Sequence, residues 1–465
     1  MHEFIRSRRR GERGQTILLV AVSMVALLAM AALAIDVVTF YVARTEIQRA
    51  ADAAALAGAK AIADSGLTSL PTADPNFASG QVQTLAQSVA TSAINAVLAT
   101  NLVGGSAPSL VGAPVFSFGT GAGQANAIND PTVKVTLQQT NLPTFFAKIF
   151  GRNTVSVQVS ATAEAYNPAN MPSPYLFTPI APKCVKPWLV ANVDPINPTP
   201  GTPFVDETTG AVEIPASGSV IGETFYLRPD CSGGTGCNPG HAPRATNSPP
   251  VVEYLPAAVL ANASNICPSC ATGSDFEKSV ACCDVNPFID GGAPAASVLT
   301  CGGGSAHAQW DNNVILPLNA GNASSTAAQC LIHAASPGNA QGQDTLDPIT
   351  WPGNPLTITA GTSSPFASKK VTTSSSIVTI PLIHRLGIPG TGGDVTVVGF
   401  LQGFINCVTD GATPCFGTTA VDTTAGDIQI TVLNVVGCSN NPNAAPPVVG
   451  GMGTSPVPVR LITPP

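Results

Sequence analysis

TILLVAVSMVALLAMAALAI, residues 16–35, holds no charged residue and no proline, and its strongest polar interruption is Ser23. At about 1.5 Å per residue, about twenty helical residues cover the roughly 30 Å hydrocarbon core of a bilayer. Residues 16–35 therefore read as one transmembrane helix. Arg6, Arg8, Arg9, Arg10 and Arg13 precede it, whereas residues 36–55 carry only Arg44 and Arg49. That asymmetry makes residues 1–15 a cytoplasmic basic tail and sends the bulk of the chain across the membrane.

Ala32-Leu33-Ala34 leaves a cleaved signal peptide open as an alternative. Against it, the helical pattern does not stop there. It runs on as DVVTFYVARTEIQRAADAAALAGAKAIAD, residues 36–64, rich in the best helix former. An unbroken helix from Thr16 to Ala63 is about 70 Å long, half in lipid and half a stalk outside it. Small residues at Ala50, Ala54 and Gly58, and at Ala51, Ala55 and Ala59, share a face and let another backbone approach closely. They suit packing on the chain's own domain and contact with another molecule equally.

Arg13-Gly14, the apolar helix, Asp36, Tyr41, Arg44, Gln48 and the block from Ala50 to Ala59 resemble the N-terminal domain of the TadG-like (TadE/TadG) proteins of the Tad, or Flp, pilus-assembly system. The motif residues are Asp36, Tyr41, Gln48, Ala51, Asp52 and Ala55. The resemblance implies a single-pass bacterial inner-membrane protein with a large periplasmic part. Its expected partners are the lipid bilayer, through residues 16–35, and other pilus-assembly or envelope proteins; it implies no cofactor and no catalytic residue. Phe145 to Gly151, followed by a segment ending Ala161-Thr162-Ala163-Glu164-Ala165, extends the likeness more loosely to residue 166. Related minor pseudopilins carry glutamate at the fifth position after their processing glycine; counted from Gly14, this chain has Leu19.

The 465 residues have room for two or three domains, and 44% hydrophobic content is ample for their cores. Only 10% are charged, while 44 Gly and 42 Pro point to turns and strands. A net charge of -7, with the basic cluster confined to the N-terminal tail, gives no electrostatic footprint for nucleic acid. The fold class expected is α+β: the transmembrane helix (16–35), the stalk (36–64), an α+β module (65–166), a proline-rich linker (167–182), a β-rich cysteine-rich domain (183–438) and a proline-rich, extended or loosely docked tail (439–465).

In the module, Val82, Leu85, Ala86, Val89, Ala93, Ala96 and Val97 recur at helical steps. Pro114 to Phe118, Val133 to Leu137 and Val155 to Ala161 alternate as half-buried strands do. Leu142 to Gly151, with proline near its start and glycine at its end, reads as a short helix between the last two. In the distal domain, Glu223 to Leu227, Leu356 to Thr359, Ser376 to Ile383, Asp394 to Ile405 and Asp427 to Val436 are expected strands, and Ser325 to Ala335 a short helix.

Cys184, Cys231, Cys237, Cys267, Cys270, Cys282, Cys283, Cys301, Cys330, Cys407, Cys415 and Cys438 all lie in that distal domain, so an even count in an oxidising compartment reads as disulfides. Connectivity stays open. Cys231 with Cys237 and Cys407 with Cys415 could close local loops, whereas adjacent Cys282 and Cys283 should reach two different segments. Cys267-Pro268-Ser269-Cys270 lacks a matching second pair for zinc and a βαβ context for redox catalysis. The five histidines, His2, His241, His307, His333 and His384, stand apart from one another in the sequence. No metalloprotease helix, nucleophile elbow or phosphate-binding loop is present. A distal Asp-x-Ser-x-Ser metal motif, which some TadG-like proteins carry, does not occur. Asn262 and Asn322 meet the short glycosylation triplet. The function expected is a membrane-anchored structural component of pilus assembly, with a surface-anchored, adhesin-like binding protein as the alternative.

Overall fold

In the computed structural model, helix α1 (Phe4–Asp64) is continuous for 61 residues. The structure describes residues 4–71, 73–118, 131–165, 167, 180–197, 202–215, 218–230, 245–261, 264–284, 307–311, 313–319, 321–333, 343–347, 351–362, 364–384, 393–409, 424–438, 448–449 and 457–462. The helix starts earlier than the apolar pattern predicts, and no proline stands between Phe4 and Thr16 to stop it. Its apolar part has a mean hydropathy of 2.8 and no protein cover, and it is long and apolar enough to cross a membrane.

From Ala43 onward the same helix is a core element. Ala50, Ala51, Ala54, Ala55 and Ala59 are buried against the chain's own module, which answers the question their spacing left open. Helix α2 (Gln81–Thr100) packs beside α1, burying Val82, Leu85, Ala86, Ala90, Ile94 and Leu98. Gly58 sits at the crossing: a Cβ there would meet Ile94 Cδ1 at 3.0 Å and Val133 Cγ1 at 3.3 Å. Helix α1, with α2 packed beside it, covers one face of a sheet formed by β1 (Ser109–Leu110), β2 (Val115–Ser117), β3 (Thr132–Pro143) and β4 (Thr154–Ala165). Strands β3 and β4 are an antiparallel hairpin in which Val133, Val135, Leu137, Val159, Ala161 and Ala163 point into the core. The expected helix at Leu142 to Gly151 is realised only as a single 3-10 turn, Ala147–Phe150, because β3 runs through Leu142 to Pro143. Gly151, at φ 79°, ends the turn in a left-handed conformation that suits glycine.

The distal domain is a closed barrel. Its strands are β5 (Trp188–Ala191), β6 (Thr224–Pro229), β7 (Pro250–Pro256), β9 (Ile377–Ile383), β10 (Gly393–Val408) and β11 (Ile428–Gly437), with β8 (His307–Trp310) added on β10. Around the ring β10 pairs β9, β9 pairs β5, β5 pairs β7, β7 pairs β6, β6 pairs β11, and β11 returns to β10. Two of these pairings, β5 with β9 and β6 with β7, are parallel. Every residue of β11 is buried, and its polar members have partners: Asn434 Nδ2 donates to Gln402 Oε1 at 2.7 Å and Gln429 Nε2 to the Tyr226 hydroxyl at 3.1 Å.

Two helices, α3 (Asp275–Ala281) and α4 (Ala323–His333), pack together outside the ring. The first opens with a Ser274–Glu277 capping box. Disulfides Cys267–Cys282 and Cys270–Cys330 staple this layer together and Cys184–Cys283 ties it to the segment before β5, so the adjacent cysteines diverge to two segments. Cys407 and Cys438 are also disulfide-bonded. Cys231, Cys237, Cys301, Cys415 and Asn262 lie outside the described residues.

Module and barrel share one apolar core. Where they meet, Ser69 Oγ donates to Asn434 Oδ1 at 3.2 Å and accepts from the Val435 N–H at 2.9 Å, and Trp351 Nε1 donates to the Ser65 carbonyl at 2.9 Å. The chain finally returns to its start. Within the tail expected to be extended or loosely docked, β12 (Val459–Ile462) is a strand of the first sheet, antiparallel to Thr162–Ala165 at the end of β4. The barrel is thus inserted between two neighbouring strands of the module.

Candidate functional site

Asp36 is the first charged residue after the apolar run, and it is fully buried. Its carboxylate accepts from the backbone N–H groups of Phe145 at 2.8 Å, Phe146 at 3.0 Å and Ala147 at 2.6 Å. Those donors lead into the 3-10 turn at the β3–β4 tip and would otherwise have no partner within it. Burial pushes the Asp36 carboxyl up, but the three N–H donors from Ala147, Phe145 and Phe146 together outweigh it and hold the group below its ordinary value. Two stretches that the family likeness quoted separately are therefore one structural joint.

Along the stalk above this joint runs a groove of about 440 Å³, lined by Val37, Phe40, Tyr41 and Arg44 of α1 and by Ser156, Val157 and Gln158 of β4. Its floor is a strand edge. Along β4, backbone groups of successive residues point to opposite sides. The Ala165 N–H reaches inward to the Pro131 carbonyl, whereas the Ser160 carbonyl, on the other side, takes a bond from Gln48 Nε2 at 3.5 Å. Even-numbered residues thus face outward: Thr162 and Glu164 lie opposite Ile462 and Arg460 of β12, and Ser156 and Gln158 face the groove. Among the described residues no strand pairs with that outer edge between Thr154 and Ala161.

The other motif residues divide by depth. Ala51 and Ala55 are fully buried and set the distance between α1 and the sheet, while Gln48 also donates to Asp52 Oδ1 at 2.8 Å. Tyr41 remains 68% exposed on the groove wall. Glu46 accepts from the Gly104 N–H at 3.1 Å. The open β4 edge and the Asp36 joint were beyond sequence reasoning, since each depends on contacts more than a hundred residues apart in the chain or on which strands close the sheet.

Among the described residues the histidine side chains are not gathered into a site, and His2 and His241 lie outside those residues. His333 bonds Gln329 at 2.8 Å, and burial lowers its pKa; His384 faces Glu207 at 2.8 Å. Among the described residues no group of three His, Cys, Asp or Glu side chains could hold a metal ion.

Comparison with curated proteins and with solved structures gives no match. Residues 14–61, which carry Asp36, Tyr41, Gln48 and the alanine block, match the Tad family model for TadE/G-like proteins of Flp pilus assembly, and this N-terminal segment is TadE/G-like.

Proposed function

We propose that the chain is a single-pass, membrane-anchored, extracytoplasmic structural component that works by protein contact in a Tad/Flp-type pilus-assembly system, without catalysis of its own. The observation that carries the reading is the division of α1: an apolar half without protein cover, continued rigidly into a half that forms the core of a folded module. The TadE/G-like match supports a pilus-assembly role, the arginine cluster supports an N-terminus on the cytoplasmic side, and the disulfides suit an oxidising exterior.

The surface we assign to the contact is the groove beside β4, where an extended segment of another envelope protein would pair with Ser156 and Gln158. Ser156→Pro tests it. Proline there removes one outward N–H and spares the bonds to β3, as edge positions allow. The variant is expected to stay folded and membrane-bound, as judged by carbonate-resistant fractionation, while pilus number falls toward that of a deletion strain. Release of the unaltered chain without detergent would overturn the anchoring, and undiminished piliation in the deletion strain would overturn the assembly role.

A further inference from the structure

The tip of the β3–β4 hairpin is an ordered structure with an unusual surface. The Ile149 N–H bonds the Phe146 carbonyl at 3.0 Å, the Arg152 N–H bonds the Ala147 carbonyl at 3.1 Å, and the Thr144 hydroxyl bonds the Arg152 carbonyl. With the Asp36 carboxylate on the preceding N–H groups, the tip's backbone is well satisfied and held in one conformation. Yet Phe145 is 60% exposed and Ile149 78% exposed, and Lys148 and Arg152 beside them are exposed too. Large apolar side chains held outward on a rigid turn mark a surface that meets something other than water.

The position of the tip says what that is. Asp36 follows directly on Ile35, the last residue of the apolar run, so hydrogen bonding to its carboxylate fixes the tip at the level where that run ends. We propose that the tip is a second membrane contact: Phe145 and Ile149 enter the headgroup and upper acyl region of the bilayer that α1 crosses, while Lys148 and Arg152 face lipid phosphates. This rests on the membrane-anchored reading of α1 and adds to it. An apolar face buried about 5–10 Å, flanked by basic side chains, is the usual arrangement of an interfacial segment. A helix alone leaves the module free to turn about the membrane normal and to tilt. A helix and a hairpin tip together fix its tilt, and so fix the height and direction at which the β4 groove is presented.

The test uses the full chain reconstituted in phosphatidylcholine–phosphatidylglycerol vesicles, with Ile149→Trp and Phe145→Trp as separate variants. Of the three tryptophans, Trp188 and Trp310 are buried in the barrel layer and Trp351 is half-buried and bonded to Ser65, so the emission that each variant adds to that of the unaltered protein reports on the tip. The expected result is added emission that is blue-shifted and largely quenched when the lipids carry bromine on their upper acyl carbons. Added emission typical of water and unquenched, in protein that still floats with the vesicles, overturns the tip contact and leaves the anchor standing. Protein that does not float overturns both. Loss of quenching in Ile149→Trp when Lys148 and Arg152 are both changed to Glu is expected if phosphate contact helps to hold the tip down.

Discussion

The two halves of α1 share one backbone geometry and have different surroundings. Between Ile17 and Ile35 the large side chains are each at least half exposed, and the chain varies Ile, Leu, Val and Met freely around the helix. Beyond Ala43 one face is mostly alanine and glycine, with Ile47 and Ile62 beside them, and is buried against β3, β4 and α2. The contrast teaches that hydropathy is what the inner half must satisfy, whereas the outer half must satisfy volume. Charge should therefore be ruinous in one and size in the other.

Leu27→Arg is expected to have the largest effect. An arginine at the centre of a span costs about 2.5–3.5 kcal/mol on insertion scales, so the membrane-bound fraction should fall markedly. Thr45→Arg, on the exposed side of the outer half, should leave both fractionation and stability within about 0.5 kcal/mol. Equal behaviour of the two variants would break the contrast. Gly58→Leu comes next. The glycine has Ile94 and Val133 within 3.3 Å of where a Cβ would stand, so α1 must lift from α2 at about 1–3 kcal/mol. Ala26→Leu, the similar enlargement in the uncovered half, should leave the thermal transition of the detergent-solubilised protein unchanged. A lowered transition in Ala26→Leu would mean that protein, not lipid, covers the inner half.

Much of this architecture is legible in the sequence because it is written in local period. The stalk, α2, the alternating strands of the module and the long strands β9, β10 and β11 follow from steps of 3.6 and 2. Strands β5, WLVA, and β7, PVVEYLP, do not alternate apolar with polar residues along the chain as β11, IQITVLNVVG, does, and leave no such signal. Barrel closure is not local at all: it depends on β5 lying parallel to β9 and β10 returning to β11. The tail strand Val459–Ile462 is equally hidden, since its pairing with β4 spans almost the whole inserted barrel. For the cysteines, bond geometry foretold that Cys282 and Cys283 would diverge but not that their partners are Cys267 and Cys184. Asp36 is the sharpest case. Its place after the apolar run is evident, and a short helix is expected over Leu142 to Gly151, but nothing local says that the carboxylate caps the turn that forms there.

That cap sits on the boundary between the two halves and gives the smallest of the expected effects, since at ordinary pH nothing titrates it. The Asp36 carboxyl is held below its ordinary value in the folded chain. Its contribution is therefore fully present above the unfolded carboxylate pKa of about 3.9 and is lost as pH falls through the depressed folded value. Amide-exchange protection of Phe145, Phe146 and Ala147 should accordingly stay constant from about pH 5 to 8 and decline only in stronger acid. Asp36→Asn offers one acceptor oxygen in place of two and turns an NH2 toward three N–H donors, so it should show the acid-state protection at neutral pH. The rest of the module, held by β3, β4 and α2, should keep its own protection in that variant. A decline already near neutrality, or full protection in Asp36→Asn, would mean that the hairpin tip holds its turn without the carboxylate, and that the joint between the two halves of α1 lies elsewhere.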